Sequence, residues 1–266
     1  MDEFRNYLLK ENLSQKTISA YIFTITKFYE NFRNVTKRNL LSFKGELLET
    51  YKPKTVNLRL QAVNKYLEYL NKNEWKLKFV KIQQKNHLEN VISDADYKFF
   101  KNKLLADKKM DWYFVVRYLC ATGARVSELV ELKVEHVQKG YYDIYSKGGK
   151  CRRLYIPRML QIETLKWLKS KIRKTGYLFL NREKERITTK GISNQLKKLA
   201  IDYGLNPNVV YPHSFRHRFA KNFLEKHNDI SLLADLLGHE SIETTRIYLR
   251  KSTTEQRAIV NDVVTW

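Results

Sequence analysis

Six side chains in the second half of the chain have the chemical character needed to act on a phosphate ester. They are two guanidinium groups, an ammonium group, two imidazoles and a phenol, on Arg125, Lys147, His213, Arg216, His239 and Tyr248. A phosphodiester is an anion, and its five-coordinate transition state gathers further charge on the non-bridging oxygens. Two arginines can bind those oxygens through bidentate hydrogen bonds, as a divalent metal otherwise would.

The phenol is the candidate nucleophile. Because the ordinary pKa of a phenol is about 10, a base and nearby cations must make Tyr248 reactive at neutral pH. His213 is the candidate base, and it opens a predicted helix whose positive end suits a phosphate. His239 would hydrogen-bond a phosphate oxygen, and Glu128 would hold the segment that carries Arg125.

Each fragment, taken alone, also has an ordinary structural interpretation. Arg125 could be a surface arginine paired with Glu128, and Lys147 and Lys150 could be solvated lysines on a turn. Tyr248 could be a buried core tyrosine. The chemical interpretation therefore depends on all the fragments occurring together, in this order.

The sequence offers little that would bind a metal ion or a cofactor. No carboxylate cluster of the D-x-D kind accompanies the six side chains, and Cys120 and Cys151 form neither a CxxC pair nor a disulfide framework. We therefore expect catalysis without metal or cofactor, with the positive charge supplied by side chains.

The charge balance predicts a polyanionic partner. The 266 residues include 50 Lys and Arg against 28 Asp and Glu, a formal net charge of +22, and such an excess favours salt-dependent binding to nucleic acid. A lysine-rich proteome is the alternative explanation. A membrane partner is disfavoured, because no segment of about 18 apolar residues exists. The acidic start at Asp2 and Glu3 argues against a signal peptide, so we expect a cytoplasmic, nucleoid-associated protein.

The scarcity of Pro (4) and Gly (9) favours a mainly helical fold with short connections. Apolar residues at helical spacing predict four helices in residues 1–75, which would form a small bundle. The predicted helices are Phe4–Leu9, a helix capped by Ser14 and running to Phe32, Leu40–Leu48, and a helix from Pro53 to Leu70. The basic residues Lys54, Arg59 and Lys65 either contact nucleic acid or belong to a solvated face.

Residues 76–92 alternate basic and apolar side chains before a polar stretch, which predicts a basic interdomain linker or a short edge strand. A second domain, 93–266, begins at the capping signature of Ser93. It is predicted to contain a β-hairpin formed by Tyr141–Tyr145 and Arg153–Ile156 around a glycine pair. Its predicted helices are Trp112–Ala121, Ile162–Ile172, Gly191–Asp202, Ser214–Lys226, Ser231–Leu237 and Ser241–Leu249.

The six side chains, with His213 and Arg216 in an H-x-x-R motif, resemble the signature of the tyrosine recombinase family, which includes phage integrases and Xer-like proteins. The fragments ATGARVSEL, HSFRHRFA and LLGHESIETTRIYL are close to that family's own sequences. The resemblance spans 93–266 and implies a tyrosine-recombinase catalytic domain. Residues 1–75 resemble the family's SAM-like core-binding domain in pattern only.

The resemblance implies a site-specific recombinase that cuts double-stranded DNA through a covalent 3′-phosphotyrosyl intermediate, without metal or ATP. Four copies would assemble on two recombination sites and exchange strands through a Holliday junction. Lys147 resembles the general acid of the family, although Lys150 on the same turn is an alternative. An apolar stripe near the C-terminal end would either dock on a neighbouring copy or pack on its own domain. The stripe comprises Ile259, Val263, Val264 and Trp266.

Two other functions fit part of the sequence. Type IB topoisomerases use the same tyrosyl chemistry, but a lysine usually stands in that family at the position of His213. A non-catalytic, integrase-derived DNA-binding accessory protein would have lost at least one of the six side chains, and all six are present. Both comparisons favour the recombinase.

Overall fold

Helices make up most of the chain, and one antiparallel pair of strands is present among the residues that the computed structural model describes, namely 1–82, 91–145, 151–249, 257 and 260–264. The predicted mainly helical class with a small β-hairpin is therefore confirmed. The chain divides into two compact units, Met1–Gln84 and Lys85–Trp266. Within the described ranges, none of the helices combines the length and the apolar character needed to cross a membrane.

The described part of the first unit contains four α-helices at the predicted places. Ser14 begins the second of them, since its hydroxyl accepts a hydrogen bond from the backbone N–H of Thr17 at 3.1 Å. Pro53 takes the first position of the fourth, where its missing N–H costs nothing. The helices are α1 (Asp2–Lys10), α2 (Gln15–Asn31), α3 (Lys37–Thr50) and α4 (Pro53–Tyr69). Their apolar faces meet in a single core.

The segment predicted as a linker begins as part of the first unit. After a 3-10 turn at Asn73–Trp75, the chain runs back along α4. The side chain of Asn64 exchanges two hydrogen bonds with the backbone of Leu77, and that of Asn57 exchanges two with Val80, all at 2.8–3.0 Å. Residues 76–82 thus adopt no strand and are tied to a helix, while 83–90 lie outside the described residues.

The second unit is built around one buried helix. In chain order its described elements are α5 (Asp94–Ala106), α6 (Met110–Thr122), α7 (Val126–Leu129), α8 (Val134–Lys139), β1 (Tyr141–Tyr145), β2 (Cys151–Tyr155), α9 (Arg158–Ser170), α10 (Thr189–Asp202), α11 (Pro212–Lys226), α12 (Ile230–Leu237) and α13 (Glu243–Arg246). The helix α6 is apolar on most of its circumference and is covered by α5, α9 and α11. Ser93 caps α5 as its sequence predicts.

The hairpin directs one arginine toward the end of a helix. Strands β1 and β2 pair antiparallel, with Ile144 opposite Arg152. Because side chains alternate between the two faces of a strand, Arg152 shares its face with the buried Leu154. That face meets α12, which contacts β2. The turn between the strands, with Lys147 and Lys150, lies outside the described residues.

The last predicted helix, Ser241–Leu249, is shorter than expected. Only Glu243–Arg246 is α-helical, and the backbone N–H of Tyr248 bonds to the carbonyl three residues earlier. Two β-branched threonines in succession disfavour a long helix here. The second of them, Thr245, is fully buried and bonds to His239, which fixes the short helix in place.

Candidate active site

Three guanidinium groups converge on the C-terminal end of α12, where the backbone carbonyls of residues 236–238 point away from the helix. Arg152 donates to the first of these carbonyls, Arg216 to the second at 2.7 Å, and Arg125 to the third at 3.0 Å. The last carbonyls of a helix lack partners within it and carry the negative end of its dipole. The helix end therefore holds three cations that come from distant parts of the sequence.

Two glycines make this convergence possible. Gly238 ends α12 with a positive φ of 62°, and a Cβ there would lie 2.3 Å from Cδ of Arg152. Gly123 ends α6 with the same φ, and a Cβ there would lie 2.6 Å from the ring of Phe219. The carbonyl of Gly123 accepts a hydrogen bond from Nη1 of Arg216 at 2.7 Å. Any other residue at either position would strain the backbone and displace a neighbour.

One carboxylate bridges two of the three arginines. Glu128 accepts hydrogen bonds from the backbone N–H of Arg125 at 2.6 Å and from its Nη1 at 2.9 Å, and it also accepts from Nη2 of Arg152. The first of these bonds satisfies an N–H at the start of α7. Glu128 thus holds the Arg125 segment, and it offsets only part of the positive charge of the arginines.

Burial makes this positive charge costly in the absence of an anion. Arg216 is 3% exposed, and burial, together with the nearby Arg125, lowers its pKa to about 10. Burial also lowers the pKa of Arg152. With a pKa of about 10, Arg216 remains protonated at neutral pH. Since carbonyl dipoles supply most of the partners of these arginines, the cluster keeps a positive field that suits a phosphate.

The imidazole of His239 lies directly beside Arg216. Nε2 of His239 is 3.1 Å from Nη2 of Arg216, and a guanidinium can only donate, so Nε2 is the acceptor. Nδ1 therefore carries the proton and donates it to the hydroxyl of Thr245 at 2.7 Å. Burial, followed by the charges of Arg216 and Arg125, lowers the pKa of His239 to about 4, which keeps the ring neutral.

The phenol of Tyr248 meets a second imidazole. Its hydroxyl is 2.8 Å from Nδ1 of His217, and the two ring centroids are 5.6 Å apart. Burial raises the pKa of Tyr248, and the charges of Arg216 and Arg125 oppose that rise. His213 is exposed one helical turn before His217, with ring centroids 6.3 Å apart. Partial desolvation of the imidazole, followed by the charges of Arg216 and Arg125, lowers the pKa of His213.

A cleft of about 910 Å³ opens beside these groups. It lies within the second unit, between the hairpin and the end of α12. Arg125, Arg152 and His239 line it, and Arg153 and the exposed Cys151 stand at the hairpin side. The cleft therefore gives a ligand access to the guanidinium cluster.

Five of the six predicted catalytic side chains occupy one region of the second unit. They are Arg125, His213, Arg216, His239 and Tyr248. Lys147, with its alternative Lys150, falls outside the described residues. The proximity of the five is a structural fact, and their catalytic roles stay predictions.

The three basic residues predicted to bind DNA in the first unit have different surroundings. Lys54 is exposed. Nη1 of Arg59 donates to the hydroxyl of Thr24 at 2.8 Å, and its guanidinium stacks on the ring of Phe23. Lys65 bonds to two carboxylates. A DNA contact at these three positions stays a prediction.

Two residues of the site were not singled out by the sequence. The alternation of β2 carries the signal for Arg152, because it shares a face with apolar Leu154 and Ile156. The signal for His217 is its spacing of four from His213 on one helix face.

Among residues 1–82, 91–145, 151–249, 257 and 260–264, no group of three His, Cys, Asp or Glu could hold a metal ion.

Comparison with known proteins finds relatives along the whole chain. A sequence profile described as the phage integrase family matches residues 85–255. The tyrosine recombinase XerA of Pyrococcus furiosus is 34% identical over 94% of this chain and 88% of its own length. The Tn1549 transposon integrase, solved in complex with transposon right end DNA, aligns with a TM-score of 0.76 at 14% identity over 99% of both chains. XerH site-specific recombinase, solved in a post-cleavage complex with palindromic difH substrate, aligns with a TM-score of 0.72 at 22% identity, over 94% of this chain and 81% of its own.

Proposed function

This chain belongs to the phage integrase family and is a tyrosine recombinase, and we propose that it cuts and rejoins double-stranded DNA at a specific site through a covalent 3′-phosphotyrosyl bond to Tyr248. The reaction would need neither metal nor ATP. The observation that carries this proposal is the convergence of Arg125, Arg152 and Arg216 on the end of α12, beside the phenol of Tyr248.

DNA is the proposed partner for three reasons. The formal net charge is +22, Arg125 and His239 line the cleft of the second unit beside the buried Arg216, and two structures with a similar fold were solved with DNA bound. Binding should weaken steeply with salt, because each neutralised phosphate releases counterions. The place of action would be the nucleoid, where this substrate lies.

The scissile phosphate would lie where the cleft meets Arg125 and His239, which line it, and within the field of Arg216, which is buried directly beside His239. Arg125 is the more accessible of the two arginines, with 38% of its side chain exposed, while Arg216 is fixed by two carbonyls. A cation held rigidly before substrate arrives needs no reorganisation as charge develops on the phosphate. The negative charge of the bound phosphate would favour a proton on Nε2 of His239, so that this nitrogen could donate to a non-bridging oxygen beside Arg216.

The phenolic oxygen of Tyr248 would attack phosphorus, with His213 taking the phenolic proton as general base. The bond to the 5′-oxygen breaks, and Lys147 would protonate that oxygen as general acid, with Lys150 as the alternative. The phosphotyrosyl bond conserves the energy of the broken linkage. A 5′-hydroxyl from another strand can therefore reverse the attack and join new partners.

Strand exchange between two sites would require four protomers and a Holliday junction. The C-terminal stripe would supply contacts between copies. Val263 and Val264 of that stripe are exposed, by 59% and 45%, and Ile259 and Trp266 lie outside the described residues. An exposed apolar pair near the C-terminal end is available to a neighbouring protomer.

Trapping on a nicked suicide substrate tests the proposal. The substrate carries the recombination site with a nick beside the scissile phosphate, so that the released fragment diffuses away and the covalent adduct accumulates. The wild-type chain should give an adduct on a denaturing gel in the presence of EDTA. Tyr248→Phe should give no adduct while it keeps its affinity for DNA. An adduct formed by that variant would remove Tyr248 from the reaction.

The same assay separates the two lysines. A 5′-bridging phosphorothiolate has a leaving group that needs no proton, so it should restore cleavage to a variant that lacks only the general acid. We expect this rescue for Lys147→Ala, whereas Lys150→Ala should cleave the ordinary substrate. The reverse pattern would assign the acid to Lys150.

A further inference from the structure

The hydroxyl of Tyr248 has a polar partner that the proposed chemistry leaves without a role. Nδ1 of His217 lies 2.8 Å from it. Burial, followed by the charges of His213 and Arg216, lowers the pKa of His217 to about 4. The imidazole is therefore neutral at the pH of the cell and can remain beside the cations of the site without repulsion.

The ring and backbone of Tyr248 do not by themselves fix the position of its hydroxyl. Its ring packs against a small apolar cluster that includes Leu233 and Leu237 of α12, and apolar packing alone does not fix the direction of a hydroxyl. The backbone around it is a four-residue helix followed by a turn. A hydrogen bond of 2.8 Å is directional and selects one position of the oxygen.

The helix that carries His217 also carries the groups assigned to the phosphate. His213, Arg216 and His217 lie at positions i, i+3 and i+4 of α11, on one face. Arg216 is in turn fixed by the carbonyls of Gly123 and Leu237. A bond from His217 to Tyr248 therefore sets the distance between nucleophile and phosphate through one turn of a rigid helix.

We propose that His217 holds the hydroxyl of Tyr248 in the attacking position through a direct hydrogen bond between that hydroxyl and Nδ1. This inference rests on the proposed function, because the bond matters to the reaction only if Tyr248 is the nucleophile. His217 touches the reacting oxygen and is therefore a catalytic residue, distinct from the base assigned to His213.

Three substitutions of His217 separate the effect of its hydrogen bond from the effect of its ring shape. In His217→Asn the amide occupies the place of Nδ1 and can donate or accept, so it restores the bond in either polarity. In His217→Gln the amide is displaced by one bond length, toward the place of Nε2. In His217→Phe the ring is kept and the polar atom is lost.

The measurement is single-turnover cleavage of the suicide substrate at saturating protein, with DNA affinity and Tm recorded for each variant. His217→Phe and His217→Gln should cleave about 10²-fold more slowly, and His217→Asn should stay within about fivefold of wild type. DNA affinity should be unchanged in all three. A phosphorothiolate substrate should not rescue the slow variants, because the defect lies in the nucleophile and not in the leaving group.

Two results would overturn the inference. One is cleavage by His217→Phe and His217→Gln within about threefold of wild type, and the other is an Asn variant as slow as the Phe variant. The Tyr248→Phe control keeps these outcomes separate from the proposed function. If that variant still forms an adduct, the function itself fails. If it forms none while His217→Phe is fast, only the role of His217 is lost.

Discussion

Two clusters of cations, one in each unit, are held in different ways. In the first unit, Lys65 bonds to Glu11 at 2.8 Å and to Glu68 at 2.9 Å, and Lys76 reaches Glu68 at 2.7 Å. These ammonium groups are neutralised by carboxylates, and the pairing lowers the pKa of Glu68. Such cations are already satisfied and have little charge left for a ligand.

In the second unit, Arg125 and Arg152 share Glu128, whereas Arg216 bonds to two main-chain carbonyls and to His239. Arg125 and Arg152 each bond to one further main-chain carbonyl. A carbonyl dipole satisfies a donor without cancelling its charge. The comparison of these two clusters teaches that the kind of partner decides how much charge a cation keeps: carboxylates neutralise Lys65 and Lys76, whereas the carbonyls that hold Arg216 leave its charge for an anion.

The largest expected effect comes from Arg216. A lysine ammonium has all its donors on one nitrogen and cannot span the carbonyls of Gly123 and Leu237 as the two Nη atoms of Arg216 do, so Arg216→Lys should slow adduct formation by about 10²- to 10³-fold. Lys76→Gln, which removes the exposed pair with Glu68, is the control in the first unit and should change the rate by less than about twofold, since exposed ion pairs contribute little. Both rates come from trapping on the suicide substrate. Equal losses in the two variants would break the comparison.

Arg152 should show a smaller effect, because it acts through Glu128 and α12. Arg152→Gln removes a charged hydrogen-bond donor and should lower the free energy of unfolding by about 2 kcal/mol. Adduct formation should fall about tenfold through the misplaced Arg125. Urea denaturation and trapping measure the two quantities. Unchanged stability would mean that the bonds of Arg152 to Glu128 and α12 contribute nothing to the fold.

Two glycine substitutions, one in each unit, should change the free energy of unfolding in opposite directions. Gly238→Ala places a Cβ 2.3 Å from Arg152 at a positive φ, and should lower the free energy of unfolding by about 1–2 kcal/mol. Gly45 lies within α3, and a Cβ added there would meet no neighbouring atom within 4 Å, so Gly45→Ala should stabilise by about 0.5–1 kcal/mol. Denaturant midpoints measure both. The same sign for the two changes would contradict the assigned strain.

Mild acid should affect the second unit before the first. His217 and His239 have pKa values lowered to about 4 in the fold, against about 6.5 when unfolded. Between these values the unfolded chain binds more protons, so stability that is complete above about pH 6.5 is lost as the pH falls toward about 4.

The first unit, Met1–Gln84, has no histidine. In the first unit the pKa of Glu68 is lowered, so this carboxylate loses its contribution to stability only as the pH falls below the ordinary pKa of a glutamate. Hydrogen exchange at about pH 7 and about pH 5 should therefore report a drop in protection in the second unit that is absent from the first. His217→Asn combined with His239→Asn should reduce that drop, and an unaltered drop would assign it to other groups.

Much of the fold follows from local signals in the sequence. The caps at Ser14 and Ser93 and the proline at position 53 mark helix starts that the structure has. Helical spacing also identifies the buried faces of the first unit. Helix ends that are set by contacts with residues distant in the sequence are harder to predict. The early end of α13 depends on the bond of Thr245 to His239, which sequence spacing does not reveal.

The candidate site is predictable in composition and less so in geometry. Arg125, Arg216, His239 and Tyr248 could be named because their types suit phosphate chemistry. The role of α12 as a common hydrogen-bond acceptor could not be predicted, because backbone carbonyls carry no sequence signal. Arg152 was missed for the same reason, since its partners include a carbonyl more than eighty residues away.

The central claim is that the guanidinium of Arg216 offsets negative charge on the scissile phosphate. A methylphosphonate at that position replaces one non-bridging oxygen by a methyl group and removes the charge. Adduct formation by wild type and Arg216→Gln should be compared on both linkages, with Lys76→Gln as control. On the phosphate, Arg216→Gln should form the adduct about 10²-fold or more slowly than wild type. On the methylphosphonate this difference in rate should shrink to about tenfold or less. An equal loss on both linkages would contradict the claim.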